Sequence, residues 1–346
     1  MKFNIDSAFT FECFKDIISV PSPTGYDVEL KPVLESYANK FGKTITYDKK
    51  GTPYIELDGE DNSKTVMIGA HADTLGFMVK SINSDGTLRI STIGGLNHHS
   101  AEGESVTVHT RTGKKYTGIC ACEKHSTHVF KGSGNHERNE DTMIIILDEN
   151  VTSKDDVKNL GINNGDYISL DPSCRITDNG YIKSRFIDDK GGIACVLTML
   201  KYLNDNNLKP KYKTLLSFPF YEETGTGGGY VPDEVEEYIA VDIGLIGPGL
   251  DGNEYSVSIC AKDIVQPYDY DLTNRMIEYA KKADCKYAVD VYTVYSSDAC
   301  AAVKGGNNLR GAVVGMAVWC SHGVEKTHIE GMNNTTKLLL AYVLDI

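Results

Sequence analysis

The sequence predicts an α/β protein whose mostly parallel sheet is flanked by helices and interrupted by a small β-barrel domain. After residue 178, strands alternate with helices, which is typical of parallel sheets covered on both faces. The segment 84–177 instead contains short strand-like runs between glycine and aspartate turns, without long helical periodicity. The first 83 residues are too few for such a sheet alone. We therefore expect a core formed by 1–83 and 178–346, with 84–177 inserted as a barrel.

The first core segment predicts two helices followed by strands. Apolar residues recur at helical spacing over 8–19, and again over 28–41. A hairpin is expected around residues 49–51, where glycine and lysines separate two strand-like runs. TVMIGAH is continuously apolar, as expected for a strand buried on both faces, and GFMVKSI is another strand.

The two remaining segments differ from each other in pattern. The insert contains five strand-like runs, and its residues 123–141 predict a long polar loop. In the returning core, helices are expected over 191–203, near 272–283 and near 334–344. The predicted strands of that part are KTLLSFPF, EYIAVDIGLIG, YAVDVYTVY and RGAVVGMAVW.

Composition indicates a folded protein of the cytoplasm. No apolar run approaches 18 residues, so we expect no membrane span, and the N-terminus lacks the pattern of a signal peptide. Nine cysteines, an odd number in 346 residues, argue against a disulfide framework and for reduced thiols. A net charge of −13 without a basic cluster argues against nucleic-acid binding.

Histidines and acids follow the predicted strands, where an open parallel sheet binds ligands. His71 comes directly after an apolar strand. A lone histidine there is more often a hydrogen-bonded core residue, but the nearby Asp73 could fix its tautomer for metal binding. Asp242 lies within an apolar strand, where an acid is costly unless a cation pairs with it.

Two pairs of adjacent acids add to this set. Asp188 and Asp189 precede a helix; one acid suffices as an N-cap, and one carboxylate can bridge two cations. Glu222 and Glu223 end a mostly apolar strand. Adjacent strand residues point to opposite faces, so both reach one site only if the backbone turns at the glycines that follow. A solvated strand end is the alternative.

Two groups are less specific. His322 and His328 follow the last strand, and we expect one to be a metal ligand and the other to be structural or to contact substrate. A second cluster has side chains that bind zinc but lacks the spacing of common structural sites, so we favour a loop bordering the active site over a metal. This cluster comprises Cys120, Cys122, His125 and His128.

The chain resembles the glutamyl and deblocking aminopeptidase family, which includes the tetrahedral aminopeptidases. The similarity runs in order along nearly the whole chain through GAHADTLGFMVKSI, RFIDDKGG, FYEETGTGG, AVDIG, SSDACAA and SHGVE. The resemblance implies a zinc-peptidase-like core with two divalent metal ions, zinc or cobalt, per subunit. It also implies a homo-oligomer, with a dodecamer as the expected assembly, in which the insert serves oligomerisation or substrate access.

The resemblance further implies a role for each matching residue. Asp188 would bridge the two ions, and Glu222 would be the general base. Asp73 matches the acid that orients the ligating histidine, and Asp298 matches an acid near the site whose role is unassigned. A cis peptide is expected between Asp188 and Asp189. The remaining metal ligands would be His71, Glu223, Asp242 and His322.

We therefore expect a metal-dependent aminopeptidase that hydrolyses N-terminal residues from peptides. Another metallohydrolase on the same core, such as a carboxypeptidase, dipeptidase or deacylase, is an alternative that the residues alone leave open. A glycosidase using Glu222 and a second acid is another, and hydrolysis insensitive to chelators would favour it. A non-enzymatic binding or assembly protein is the third, and the complete ligand set argues against it.

Overall fold

The computed structural model describes residues 3–346, so the first two residues of the predicted segment 1–83 lie outside it. The core unit runs up to Asp73 and resumes at Ser173–Ile346, and the insert unit is Thr74–Pro172. The helices are α1 (Ser7–Ile18), α2 (Leu30–Lys40), α3 (His98–Ala101), α4 (Lys154–Leu160), α5 (Ile187–Asp205), α6 (Tyr270–Lys282), α7 (Asp298–Lys304) and α8 (Ile329–Leu344). The strands are β1 (Ile45–Tyr47), β2 (Pro53–Leu57), β3 (Asp61–Ala70), β4 (Gly76–Ile82), β5 (Leu88–Ile93), β6 (Ser105–His109), β7 (Lys115–Cys122), β8 (Met143–Leu147), β9 (Tyr167–Leu170), β10 (Arg175–Ile176), β11 (Tyr181–Ser184), β12 (Tyr212–Ser217), β13 (Val235–Val241), β14 (Gly244–Leu245), β15 (Val257–Lys262), β16 (Tyr287–Val291), β17 (Arg310–Val318) and β18 (Glu325–His328).

The core sheet is mostly parallel, which confirms the predicted fold class. Among residues 3–346 it has nine strands in the order β1-β2-β12-β3-β13-β17-β15-β16, with β14 beside β17. Strands β12, β3, β13 and β17 form its parallel centre, and antiparallel pairs join β1 to β2, β2 to β12 and β15 to β17. The carboxyl ends of four neighbouring strands therefore lie side by side, which is where an open α/β sheet binds ligands.

Helix α5 is the central helix of the core. It contacts α1 and α8 as well as β3, β13 and β17, and its side chains are buried along nearly its whole length. A helix that is apolar on all sides is stable only when it is covered on all sides, as this one is. No helix within residues 3–346 is both long and apolar enough to cross a membrane.

The insert is a closed barrel of six strands in the order β4-β5-β8-β7-β6-β9. Strand β4, which the sequence pattern assigns to the core segment, belongs to this barrel because it pairs with β5 and β9. The barrel unit therefore begins at Thr74 instead of 84 and ends at Pro172 instead of 177. Periodicity identifies β4 as a strand, but it does not reveal which strands it pairs with.

A short hairpin connects β17 to the small antiparallel sheet β10-β11-β18. Trp319 and Lys326 exchange backbone hydrogen bonds of 2.9 and 3.1 Å across it. At its tip, Cys320 and His322 have φ values of 60° and 61°, in the left-handed region that non-glycine residues rarely adopt. This turn presents His322 at the carboxyl end of β17.

Candidate metal centre

The predicted site residues meet at the carboxyl ends of the central strands. His71 follows β3, Asp242 follows β13, and the His322 hairpin follows β17. Glu222 and Glu223 come five and six residues after the end of β12. Asp188 lies at the start of α5. Five segments distant in sequence therefore supply side chains to one place, because neighbouring parallel strands end at the same edge.

Asp188 lies between two histidines. Its Oδ1 is 2.9 Å from Nε2 of His71, and its Oδ2 is 3.5 Å from Nε2 of His322. Burial alone would raise the pKa of Asp188, but His322 and His71 outweigh burial and hold that pKa below its usual range. Each oxygen of one carboxylate thus faces a different imidazole, which is the arrangement that a bridging ligand requires.

His71 is held in a fixed orientation. Its Nδ1 lies 3.0 Å from the backbone carbonyl oxygen of Asp73 and 3.6 Å from the Asp73 carboxylate. A ring N–H donated at Nδ1 would leave Nε2, the nitrogen that faces Asp188, as the one available to a metal ion. Burial lowers the pKa of His71, but the hydrogen-bonding acids Asp188 and Asp73 outweigh burial and raise it well above its usual value.

The Asp73 carboxylate mainly contacts other groups. It accepts the backbone N–H groups of Glu222 and Glu223 at 3.0 and 3.2 Å and the hydroxyl of Thr24 at 2.6 Å. The resemblance implies that this carboxylate orients His71, whereas in the structure the closer ring contact is the Asp73 carbonyl oxygen. Asp73 therefore fixes the backbone of the paired glutamates as well as the histidine.

The backbone turns at the paired glutamates, so both reach the site. The N–H of Gly225 donates to the carbonyl of Glu222 at 2.6 Å, and Gly225 has a φ of 74°, which suits glycine. Oε2 of Glu222 lies 3.8 Å from Nε2 of His71, and Oε2 of Glu223 lies 3.7 Å from Nε2 of His322. The turn that the following glycines allow is thus present.

Several acids of the centre are buried without an adequate positive partner. Burial and the neighbouring Asp188 raise the pKa of Glu223 to about 8 and that of Asp242 to about 6. Burial likewise raises the pKa of Glu222 well above its usual value. Oε1 of Glu223 is buried and has no hydrogen-bond partner among residues 3–346. Uncompensated buried carboxylates are costly, and cations would relieve that cost.

Asp298 lies at the edge of this centre. Its Oδ1 accepts the N–H of Gly228 at 2.6 Å, and its Oδ2 is buried without a hydrogen-bond partner in the described part of the chain. Burial raises the pKa of Asp298 to about 7. A side chain at Gly227 would collide with this carboxylate, so Asp298 packs directly on the glycine-rich loop that follows the paired glutamates.

The two adjacent acids of α5 have different roles. Asp189 accepts the N–H of Gly192 at 3.1 Å, which is the contact of an N-cap. Asp188 is left for the two histidines, and the peptide between the two acids is cis, as expected. The next residue, Lys190, does not neutralise the site in the structure, since its ammonium donates to the carbonyl of Val20, and burial lowers its pKa to about 7.

The structure distinguishes the two late histidines. His328 lies away from the acids: its Nε2 is 2.8 Å from the carbonyl oxygen of Asn179, and its Nδ1 accepts the N–H of Glu330 at 3.0 Å. It caps α8 and contacts the rings of Tyr181 and Tyr255. Of the two histidines, His322 is therefore the one that lies beside the buried acids.

The cysteines and histidines of the insert cluster lie in different local surroundings. Cys120 and Cys122 are buried in β7, and His125 packs against Phe130. Within residues 3–346, one group of three His, Cys, Asp or Glu side chains has ligand atoms that all lie within 4.8 Å of one another, and it consists of His71, Asp188 and Glu223.

Sequence reasoning did not assign a role to Glu325. This carboxylate is buried and accepts the N–H of Asp188 at 3.0 Å and the N–H of His322 at 3.2 Å. A glutamate three residues after a candidate ligand is common on surfaces, so its spacing alone carries no signal. Its burial and its contact with a distant segment appear only in three dimensions.

The donor set fits divalent metal ions of the zinc and cobalt type. Imidazole nitrogen and carboxylate oxygen are ligands that both metals accept. The unpartnered Glu223 oxygen and the two-sided Asp188 carboxylate are buried next to the histidines. The residues that would hold ions are Asp188, His71, Glu223, Asp242 and His322.

A family model, curated relatives and solved structures match this chain. The model of the M42 glutamyl aminopeptidase family matches residues 51–338. "Putative aminopeptidase YhfE" of Bacillus subtilis (strain 168) is 41% identical over 335 residues, covering 96% of this chain and 97% of that protein. The TET aminopeptidase of Thaumarchaeota archaeon SCGC AB-539-E09 has a TM-score of 0.88 at 18% identity, covering 99% of this chain and 97% of that one. The Pyrococcus horikoshii TET1 peptidase, which assembles into a tetrahedron or a large octahedral shell, has a TM-score of 0.84 at 20% identity, covering 97% of this chain and 100% of that one.

Proposed function

Because this chain belongs to the M42 glutamyl aminopeptidase family, we propose that it removes N-terminal residues from peptides with two divalent metal ions that share Asp188. Family membership makes the chain an aminopeptidase, and metal dependence is general in the family. The observation that carries the two-ion proposal is the Asp188 carboxylate, whose oxygens lie 2.9 and 3.5 Å from two different histidines.

The contacts support a division of the ligands between two positions. One position takes Oδ1 of Asp188 with His71, and Asp242 at the neighbouring strand end completes it. The other takes Oδ2 of Asp188 with His322 and Glu223, whose carboxylate lies 3.7 Å from the His322 ring. Zinc and cobalt both suit these ligands.

Glu222 is the proposed general base. Two bound ions would polarise the scissile carbonyl and lower the pKa of a water at the site towards about 7. The Glu222 carboxylate takes a proton from the attacking water and passes it to the leaving amine. Its position is fixed because its backbone N–H donates to Asp73, and the burial that raises its pKa suits a group that must hold a proton between two steps.

The free α-amino group of the substrate pairs with an acid of the centre, which restricts cleavage to the first residue. The test compares a panel of free aminoacyl-peptides with the same peptides N-acetylated, before and after chelation. We expect turnover of free peptides only, lost on chelation and restored by zinc or cobalt. Cleavage of acetylated peptides would indicate a deacylase or another metallohydrolase, and activity that survives chelation would contradict the metal mechanism.

We propose further that the chain forms a homo-oligomer in the cytoplasm, with the dodecamer as its assembly and the barrel insert as the part that assembles subunits or controls substrate access. The relative from Pyrococcus horikoshii forms a tetrahedron or an octahedral shell. Within residues 3–346 the nine cysteines form no disulfide with one another, which suits a reducing compartment. Light scattering coupled to size exclusion tests the assembly, and a mass of one or two chains would contradict it.

A further inference from the structure

A second buried carboxylate, outside the proposed ligand set, joins two of the ligand segments. Glu325 is 1% exposed, and its two oxygens accept two backbone N–H groups, from Asp188 at 3.0 Å and from His322 at 3.2 Å. Asp188 begins α5 and His322 lies in the hairpin after β17. One side chain therefore connects the backbone of the proposed bridging ligand to the backbone of a terminal ligand.

Both backbone groups need such an acceptor. Asp188 lies at the start of α5 with a non-helical ψ of 104°, before the regular helix that Asp189 caps, so its N–H takes no part in the hydrogen bonds of that helix. His322 has a φ of 61°, in the left-handed region that a non-glycine residue adopts only when its surroundings hold it there. The Glu325 carboxylate satisfies the first group and restrains the second.

The contacts leave the two ligand side chains available. Because Glu325 binds only main-chain N–H groups of Asp188 and His322, the Asp188 Oδ2 and His322 Nε2 atoms still face each other at 3.5 Å. We propose that Glu325 is a positioning residue that fixes the separation of Asp188 from His322 and thereby tunes the affinity of the metal position they share. The inference rests on the proposed two-ion centre.

Asp73 is the corresponding support for His71. Its carbonyl oxygen contacts the His71 ring, and its carboxylate also accepts the N–H groups of Glu222 and of Glu223, which is a proposed ligand of the His322 position. The His71 side is therefore held independently of Glu325. Loss of the Glu325 contacts should weaken one metal position, the one with His322, and leave the other in place.

The test is a stepwise titration of chelated Glu325→Gln with Zn²⁺ or Co²⁺, beside the wild-type protein. A carboxamide offers one acceptor oxygen, so one of the two N–H groups loses its partner. We expect the metal affinity of one of the two binding steps to fall by about 10–100-fold, as when other hydrogen-bond partners of metal ligands are removed. The visible spectrum of the second bound Co²⁺ should change, and excess metal should restore activity.

The matched control is Glu254→Gln. Glu254 also contacts the His322 hairpin, through the Trp319 indole at 3.2 Å and the Lys326 ammonium at 3.4 Å, but not through the backbone of a ligand. This variant loses the same charge and should titrate as wild type. Circular dichroism of the chelated proteins shows whether Glu325→Gln folds. If it does not, Glu325→Asp, which keeps the charge but withdraws the carboxylate, should show the same single weakened step.

Two outcomes would overturn the inference. One is wild-type affinity for both ions in a folded Glu325 variant. The other is equal weakening of both steps together with a lower melting temperature, which would indicate a general structural role. A wild-type protein that binds fewer than two ions would instead contradict the proposed centre itself, so the two failures are distinguishable in the same experiment.

Discussion

Strand β13 has a buried acid near each end, Glu237 close to its start and Asp242 directly after its last residue, and the two differ in how their charge is balanced. Glu237 lies 2.6 Å from the Lys64 ammonium, 2.7 Å from the Arg275 guanidinium and 3.0 Å from the Tyr342 hydroxyl. Burial would raise the pKa of Glu237, but Lys64 and Arg275 outweigh burial and lower it.

At the other end of the same strand the balance is reversed. Burial and the Asp188 carboxylate raise the pKa of Asp242 to about 6. The charged groups that act on Asp242 most strongly are Asp188 and His71, and the hydroxyl groups of Ser297 and Tyr295 also act on it. A buried acid with its own cations stabilises the fold, whereas a cluster of buried acids without them is stable in its charged form only with bound cations. The two ends therefore distinguish an acid that is balanced by protein cations from one that we propose as a metal ligand, without reference to relatives.

The largest expected effect concerns catalysis at the Asp242 end. Glu222→Gln should lower kcat by about 10²–10⁴-fold, because it removes the group that moves the proton, while metal content stays at the wild-type value. Steady-state kinetics with a free aminoacyl-peptide and metal analysis of the same sample check this. Loss of metal in this variant would identify Glu222 as a ligand instead of a base.

The next effect concerns metal removal and pH. In the chelated protein the pKa values of Glu223, Asp298 and Asp242 are raised, to about 8, 7 and 6, so the folded state binds more protons than the unfolded state between about pH 4 and 8. The free energy of unfolding must then fall as the pH rises through this window. Bound metal ions would stabilise the ionised acids, so the metal-loaded protein should not lose this free energy of unfolding. The difference in melting temperature between loaded and chelated protein should therefore widen from pH 5 to 8.

A constant difference across that range would contradict the assignment of Glu223 and Asp242 as ligands. The Glu237 end behaves in the opposite sense: with its pKa lowered, it contributes stability above about pH 4.3 and loses it as the pH falls through its folded pKa. Substitution of Glu237 should therefore change the pH at which the protein unfolds in acid. It should not change the difference in melting temperature between the metal-loaded and the chelated protein.

A pair of neutralising variants compares the two ends directly. Glu237→Gln should lower the free energy of unfolding by about 1–3 kcal/mol, because Lys64 and Arg275 lose a buried partner, with no change in metal affinity. Asp242→Asn should stabilise the chelated protein, because an uncompensated buried charge disappears, while weakening metal binding. Denaturant unfolding of both chelated variants measures the change in the free energy of unfolding relative to wild type. A change of the same sign in both variants would contradict the proposed difference between the two ends of β13.

The smallest effect concerns His328. Because it caps α8 and contacts two tyrosines, His328→Ala should cost about 1 kcal/mol of stability and leave metal content and kcat near wild type. Thermal melting and metal analysis measure these quantities. Loss of a metal ion in this variant would return His328 to the ligand set in place of His322.

Many residues of this site could be predicted from the sequence because each of them lies within or directly after a strand that is recognisable from its apolar residues. An apolar strand followed by His71, or an acid within an apolar strand at Asp242, is visible without coordinates. The meeting of these residues follows from the parallel sheet. The structure brings the predicted residues together, while their roles as ligands and base stay predictions until metal is bound and measured.

Other features depend on contacts between distant segments, which spacing does not reveal. The carboxylate of Asp73 contacts the Glu222–Glu223 backbone, and Glu325 contacts Asp188 across the fold. The choice of His322 over His328 rests on the hairpin turn and on the cap of α8. The assignment of β4 to the barrel depends on strand pairing, which an alternating pattern leaves open.

Whether two ions share Asp188 is tested most directly by the crystal structure of the zinc- or cobalt-loaded protein with anomalous diffraction at the metal edge. We predict two anomalous peaks about 3.5–4 Å apart, with one Asp188 oxygen on each. His71 would lie on one peak, and His322 with Glu223 on the other. A single peak, or two peaks without Asp188 between them, would contradict the shared-carboxylate centre.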